Sequence, residues 1–121
     1  MKFQKTFHVR FVPRISCIQG VFDPLRYEDI ENMIKAKKYG HYIIVIVNDD
    51  PYSFLSLEEK VNIMKSIKYV NKVVKSSQSI IETIKQLNVQ PKHFCLLPNQ
   101  ELTPEEEEYF KQHDIEVNKL F

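Results

Sequence analysis

Glycine is nearly missing from this sequence: Gly20 and Gly40 are the only two in 121 residues. The dinucleotide fingerprint G-x-G-x-x-G and the Walker loop both need clustered glycines, so both are excluded. Long apolar runs are missing too. The longest, residues 42–47, falls far below the ~18–20 residues of a bilayer crossing. Residues 1–12 alternate polar and apolar side chains without the continuous core of a secretory signal, and the expectation is a cytoplasmic protein. Neither sign of charge dominates: 17 basic and 16 acidic residues leave +1, which argues against nucleic acid or membrane as a partner. The four histidines show no H-x-x-x-H spacing, so no metal site is expected. Cys17 and Cys95 lie 78 positions apart inside apolar segments; two buried thiols in a reducing compartment are favoured over one long-range disulfide.

What is present reads as one globular domain, with 43% hydrophobic and 27% charged residues. Residues 14–19 are β-rich and close on Gly20. Over residues 27–39, Tyr27, Ile30, Met33 and Ile34 recur at helical spacing, with a basic tail and Gly40 as the stop. Residues 42–47 are apolar on both faces, as in the middle of a parallel sheet. Ser56 with Glu59, Ser79 with Glu82, and Thr103 with Glu106 have the spacing of capping boxes, so helices are expected to begin near Leu57, Ile80 and Pro104. Short strands fit between them near 72–75, 93–97 and 115–120. The expected fold is α/β: a three-layer, Rossmann-like, parallel five-stranded sheet with helices on both faces, over residues 14–121. Before it stands an N-terminal arm, residues 1–13, in which Phe7, Val9 and Phe11 alternate with Thr6, His8 and Arg10 as in an amphipathic strand. The run Glu105 to Glu108 suits the first turns of a helix.

In an open α/β sheet the ligand site lies beyond the carboxyl ends of the strands, where strand order reverses. The first such end is residues 20–29, Gly-Val-Phe-Asp-Pro-Leu-Arg-Tyr-Glu-Asp, running from strand to helix start, where free amides attract anions. Gly20-Val21-Phe22-Asp23 resembles the opening of the cytidylyltransferase-like nucleotidyltransferases, whose signature is G-x-F-D-x-x-H-x-G-H. Ala36-Lys37-Lys38-Tyr39-Gly40-His41-Tyr42 is similar to their link into the second strand. Ser56-Leu57-Glu58-Glu59-Lys60 and Ile67-Lys68-Tyr69-Val70-Asn71-Lys72-Val73 are similar to glycerol-3-phosphate cytidylyltransferases in particular. The likeness spans residues 14–120.

The resemblance implies an in-line displacement of pyrophosphate from a nucleoside triphosphate by a phosphorylated metabolite. It places Gly20, Val21, Phe22 and Asp23 at nucleotide-binding positions and Arg26, Asp29 and Lys60 at catalytic ones, with no resident metal. It also implies that CTP with magnesium would be the cofactors of an active form, and that a homodimer is to be expected. The chemistry at these positions has changed. Arg26 replaces the first histidine, Glu28 the glycine and Asp29 the second histidine. An arginine still grips phosphate. A carboxylate about 4 Å from a phosphate oxygen is repelled by roughly 4 kcal/mol at an effective dielectric of 20, which is about three decades of affinity. Arg26 and Asp29, at i and i+3, are expected to pair with each other. Lys60 stands where the family has an arginine, Leu96-Leu97-Pro98-Asn99-Gln100 replaces a glycine- and aspartate-bearing loop, and the family's serine/threonine-rich phosphate motif has no counterpart before Phe121.

Residue types alone also permit plain structural roles: turn chemistry for Gly20 and Asp23, a core anchor for Phe22, helix-start acids for Glu28 and Asp29, turn residues rather than magnesium ligands for Asp49 and Asp50, and a solvated basic face for Lys60, Lys65 and Lys68. Three functions are expected in descending order. The first is a non-catalytic relative acting as a ligand-binding, regulatory or assembly module. The second is a divergent nucleotidyltransferase that moves CMP or AMP to a phosphorylated metabolite. The third is an oligomer building block joined through the arm.

Overall fold

The computed structural model describes residues 14–76 and 79–120. The expected arm, residues 1–13, lies outside the described residues. The elements alternate β1 (Ile15–Gly20), α1 (Tyr27–Ala36), β2 (Tyr42–Asn48), α2 (Leu57–Lys65), β3 (Lys72–Ser76), α3 (Ile80–Lys85), β4 (His93–Leu96), α4 (Pro104–Gln112) and β5 (Glu116–Lys119). All four strand pairings are parallel, in the order β3-β2-β1-β4-β5. This is the α/β, Rossmann-like fold expected from the pattern.

Strand alternation sorts the core into two layers. Ile43, Val45 and Val47 of β2 pack with Met33 and Ala36 of α1 and Val61 and Met64 of α2. Ile44 points the other way, into a layer with Phe94 of β4, Ile84 of α3 and Phe110 of α4. Five successive β2 residues, Ile43 to Val47, are therefore buried. Each such side chain contributes about 1.5–3 kcal/mol relative to exposure.

Two capping boxes form in full. Ser56 Oγ accepts from the Glu59 amide while Glu59 accepts from the Ser56 amide, and Thr103 and Glu106 do the same. At Ser79 the hydroxyl half is made, at 3.2 Å, but Glu82 instead lies 3.7 Å from Lys85. Helix α1 ends at Ala36, short of the expected Tyr39. Gly40 does not end it by adopting a left-handed conformation. A Cβ there would lie 2.7 Å from Ser16 Oγ and 2.9 Å from the Arg14 carbonyl, so the glycine serves close approach to β1. The two thiols are free and buried. Cys17 belongs to the α3/α4 layer and Cys95 to the α1/α2 layer. Burial, with the neighbouring Cys95, pushes Cys17 up to about 12; burial pushes Cys95 to about 11 against an opposing hydrogen bond from Ser16.

Candidate functional site

Strand order reverses between β1 and β4, so the carboxyl ends of these strands meet at a crevice of the kind this fold class leaves at its switch point. A pocket of about 240 Å³ opens there. It brings together Gly20, Val21, Phe22, Asp23, Arg26 and Asp29 from the first loop, and Leu97, Pro98 and Gln100 from the loop after β4. Six of the seven residues singled out from the sequence thus line one pocket. Lys60 does not.

The β1–α1 turn is held by its own side chains. Phe22 adopts φ 52°, a left-handed value that costs a bulky residue energy, and folds its ring back over Gly20. A Cβ on Gly20 would lie 2.8 Å from the Phe22 ring tip, which explains the Gly-x-Phe spacing without a ligand. Phe22 is buried within the α1/α2 layer. Asp23 reaches across to the loop after β2 and accepts from the Phe54 amide at 2.6 Å and the Leu55 amide at 3.1 Å. Both carboxylate oxygens are thereby engaged.

At the start of α1 the structure departs from the expected pairing. Asp29 Oδ2 accepts from the Arg26 backbone amide at 2.8 Å, and no ion pair joins the Arg26 guanidinium to it among the described residues. The physical reason is that Arg26 is the N-cap, with extended backbone (φ −120°, ψ 167°). The i, i+3 neighbour rule requires both residues to be helical; a cap residue sends its side chain elsewhere, while its free amide captures the carboxylate. Arg26 is exposed at the pocket mouth.

Lys60 corrects the reading of a solvated basic face. It is 1% exposed, whereas Lys65 and Lys68 are exposed. Its ammonium donates to the Asn48 carbonyl at 3.0 Å and to Ser53 Oγ at 3.1 Å, joining α2 to the end of β2. Asp50 accepts from the Tyr52 amide at 2.9 Å, a turn role, and no group of three His, Cys, Asp or Glu able to hold a metal occurs among the described residues.

Gln100 was not singled out from the sequence. Its Nε2 donates to the Gln19 carbonyl at 2.7 Å and its Oε1 accepts from the Leu97 amide at 2.9 Å. One side chain therefore spans the crevice between β1 and β4. Asn99 beside it has φ 71°, the left-handed position that a glycine would otherwise fill. The available signal was an Asn-Gln pair in the loop after the strand expected beside β1. Three exposed aromatics also crowd this end of the sheet: Tyr27 at the start of α1, and Tyr52 and Phe54 in the loop tied to Asp23.

No model of a known protein family matches this chain, and no curated protein matches its sequence. Among solved structures, the crystal structure of the lipopolysaccharide core biosynthesis protein from Thermoplasma volcanium GSS1 is similar. It superposes with a TM-score of 0.76 over 89% of this chain and 94% of that one, at 19% sequence identity. Likeness at that identity establishes a shared fold, with its switch point between β1 and β4, and nothing about chemistry.

Proposed function

We propose that this chain is a non-catalytic relative of the cytidylyltransferase-like nucleotidyltransferases, working as a binding or assembly module. The observation that carries this reading is the internal use of the site's polar groups. Asp23 serves two loop amides, Asp29 caps its own helix, and Lys60 is buried against a backbone carbonyl and a hydroxyl. Gln100 spans the crevice that a ligand would occupy.

The residues do not fit a nucleoside triphosphate with magnesium. The pocket holds about 240 Å³, while sites for ligands of that size start at about 300 Å³. Asp29 puts a carboxylate at the helix start where phosphate would bind, and the cation expected opposite it, Lys60, does not line the pocket.

One observation favours the alternative, a divergent transferase. The Arg26 guanidinium sits at the pocket mouth without a partner among the described residues, free to take a phosphate in its planar fork. The experiment that separates the two readings is calorimetric titration with CTP and with ATP, each with magnesium, followed by a pyrophosphate-release assay on a panel of sugar and polyol phosphates. The expected result is no heat of nucleotide binding and no release above the buffer rate. Saturable binding with release, both lost in Arg26→Ala, would establish the transferase instead.

A further inference from the structure

A groove of about 1050 Å³ runs between α4 and β5. The β5 backbone borders it: Glu116 and Leu120 donate inward, to the carbonyls of Lys92 at 2.9 Å and Leu96 at 3.1 Å, so strand alternation aims the Val117 and Lys119 amides outward. The aromatic residue of this groove, Phe110, is already buried in the core. The exposed aromatic surface lies instead at the carboxyl end of the sheet, where Tyr27, Tyr52 and Phe54 are 75%, 91% and 97% exposed. The backbone beneath two of these rings is fixed. The Phe54 and Leu55 amides donate to Asp23, the Tyr52 amide to Asp50 Oδ1, and the Ser53 amide to the Asp50 carbonyl, while Ser53 Oγ accepts from buried Lys60. A loop tied at so many points loses little further freedom when its rings are covered, and large side chains on a rigid support are the usual anchors of protein interfaces.

Charge indicates what covers them. Each described helix carries an acid in its first turn and a lysine in its last. A crossover helix runs back against its parallel strands, so every first turn lies at the carboxyl end of the sheet and every last turn at the amino end. The net charge of +1 therefore hides a separation along the strands. Beside the aromatics, the same loops and helix starts carry Glu28, Asp49, Asp50 and Glu59; Arg26 is a lone cation there, and Lys75 is paired with Glu58. At the opposite end, Arg14, Lys38, His41 and Lys92 are exposed. The Tyr42 amide donates to the Arg14 carbonyl at 3.2 Å, the Lys92 amide to the Ile15 carbonyl at 3.0 Å, and the Lys37 ammonium to the His41 carbonyl at 3.1 Å, which gathers these cations beside one another. Asp114 and Glu116 are the acids at that end among the described residues; both stand on the β5 side, and Glu116 is engaged by His93 and Asn118.

We propose that copies of this chain associate head to tail, with the aromatic, acidic carboxyl end of one seated on the basic amino end of the next. The inference rests on the assembly reading above and names its partner. Lysine and arginine heads pair with the carboxylates and lie over the ring faces, whereas nucleic acid or an anionic membrane would be repelled by the same rim. A two-fold dimer would use one patch twice, acid against acid. Two different patches make a heterologous contact, which leaves a free end on every copy and lets the assembly grow past a dimer.

Sedimentation velocity of the full chain tests this. At low salt the wild type is expected to grow past a dimer as concentration rises, and to associate at least ~tenfold more weakly in 1 M salt, where the Debye length is about 3 Å. Tyr52→Ser/Phe54→Ser disables the carboxyl end and Lys38→Glu/Lys92→Glu the amino end; all four side chains are exposed, so the fold is kept. Each variant alone should self-associate at least ~tenfold more weakly than the wild type. Mixed in equal amounts, the intact amino end of the first meets the intact carboxyl end of the second, and a heterodimer that grows no further is expected. Glu28→Lys/Asp49→Lys, which keeps the rings, should behave as a second carboxyl-end variant in the same mixture. A wild type that stays monomeric at every concentration would overturn the proposal, and so would mixtures that associate no better than their components. Neither result touches the non-catalytic reading, which stands or falls on the nucleotide titrations.

Discussion

At the carboxyl end of the sheet, Asp23, Lys60 and Gln100 direct their polar atoms onto backbone groups of neighbouring loops and strand ends. Along β5, Val117 and Lys119 leave their amides turned outward beside a groove about four times larger than the crevice pocket. The first region is where this fold class receives ligands; the second is an ordinary sheet edge. In this chain several polar groups of the usual receiving end are engaged in internal hydrogen bonds, while β5 keeps backbone amides turned outward on the flank. Position within a fold therefore says where a site can be, and the side chains decide whether it is one.

Substitutions that remove these internal bonds break this contrast most strongly. Lys60→Ala should lower unfolding free energy by about 2–4 kcal/mol, because it leaves a cavity and strips the Asn48 carbonyl of its donor. Lys60→Met, which refills the volume, should restore more than half of that in urea denaturation. Asp23→Ala removes the acceptor of two amides and should cost about 2–3 kcal/mol in thermal unfolding, with Asp23→Asn losing roughly half as much.

On the β5 flank the expected effects are smaller. The Glu116 carboxyl is held below its usual range first by the Asn118 amide, and also by His93 3.2 Å away. A depressed carboxylate contributes stability above its unfolded pKa and loses it as pH falls through the folded value. Asn118→Ala should therefore raise the Glu116 midpoint in an NMR titration and flatten the acid side of the stability profile. Arg26→Ala should change stability by less than about 0.5 kcal/mol, since nothing among the described residues leans on its guanidinium. A larger loss would mean that the guanidinium has a structural partner in the fold.

Much of the architecture was legible because it is written locally. Capping pairs at Ser56 and Thr103, a doubly apolar β2 and one turn signal per crossover are short-range features, and they place every described strand and helix to within a few residues. The crevice was legible as a location for the same reason, since Gly20, Phe22 and Asp23 are adjacent in sequence. Its internal hydrogen bonding was not. Asp23 finds its partners 31 and 32 positions away and Gln100 finds Gln19 at 81, separations that no spacing rule reaches. Lys60 misled because a lysine in an acidic helix start looks solvated, and its burial depends on where the β2 loop happens to pass. The Arg26–Asp29 pairing failed on one residue of helix boundary.

The β1–β4 junction joins the two halves of the molecule through only three register pairs, Ser16 to Ile18 against His93 to Cys95, whereas β1 and β2 share six. Side-chain packing crosses this line on both faces: Cys95 and Leu120 join the α1/α2 layer, and Ile44 joins Phe94 and Phe110 in the α3/α4 layer. The seam that few backbone pairs close is thus held from above and below by the two apolar layers, with Gln100 as a clasp at its carboxyl end.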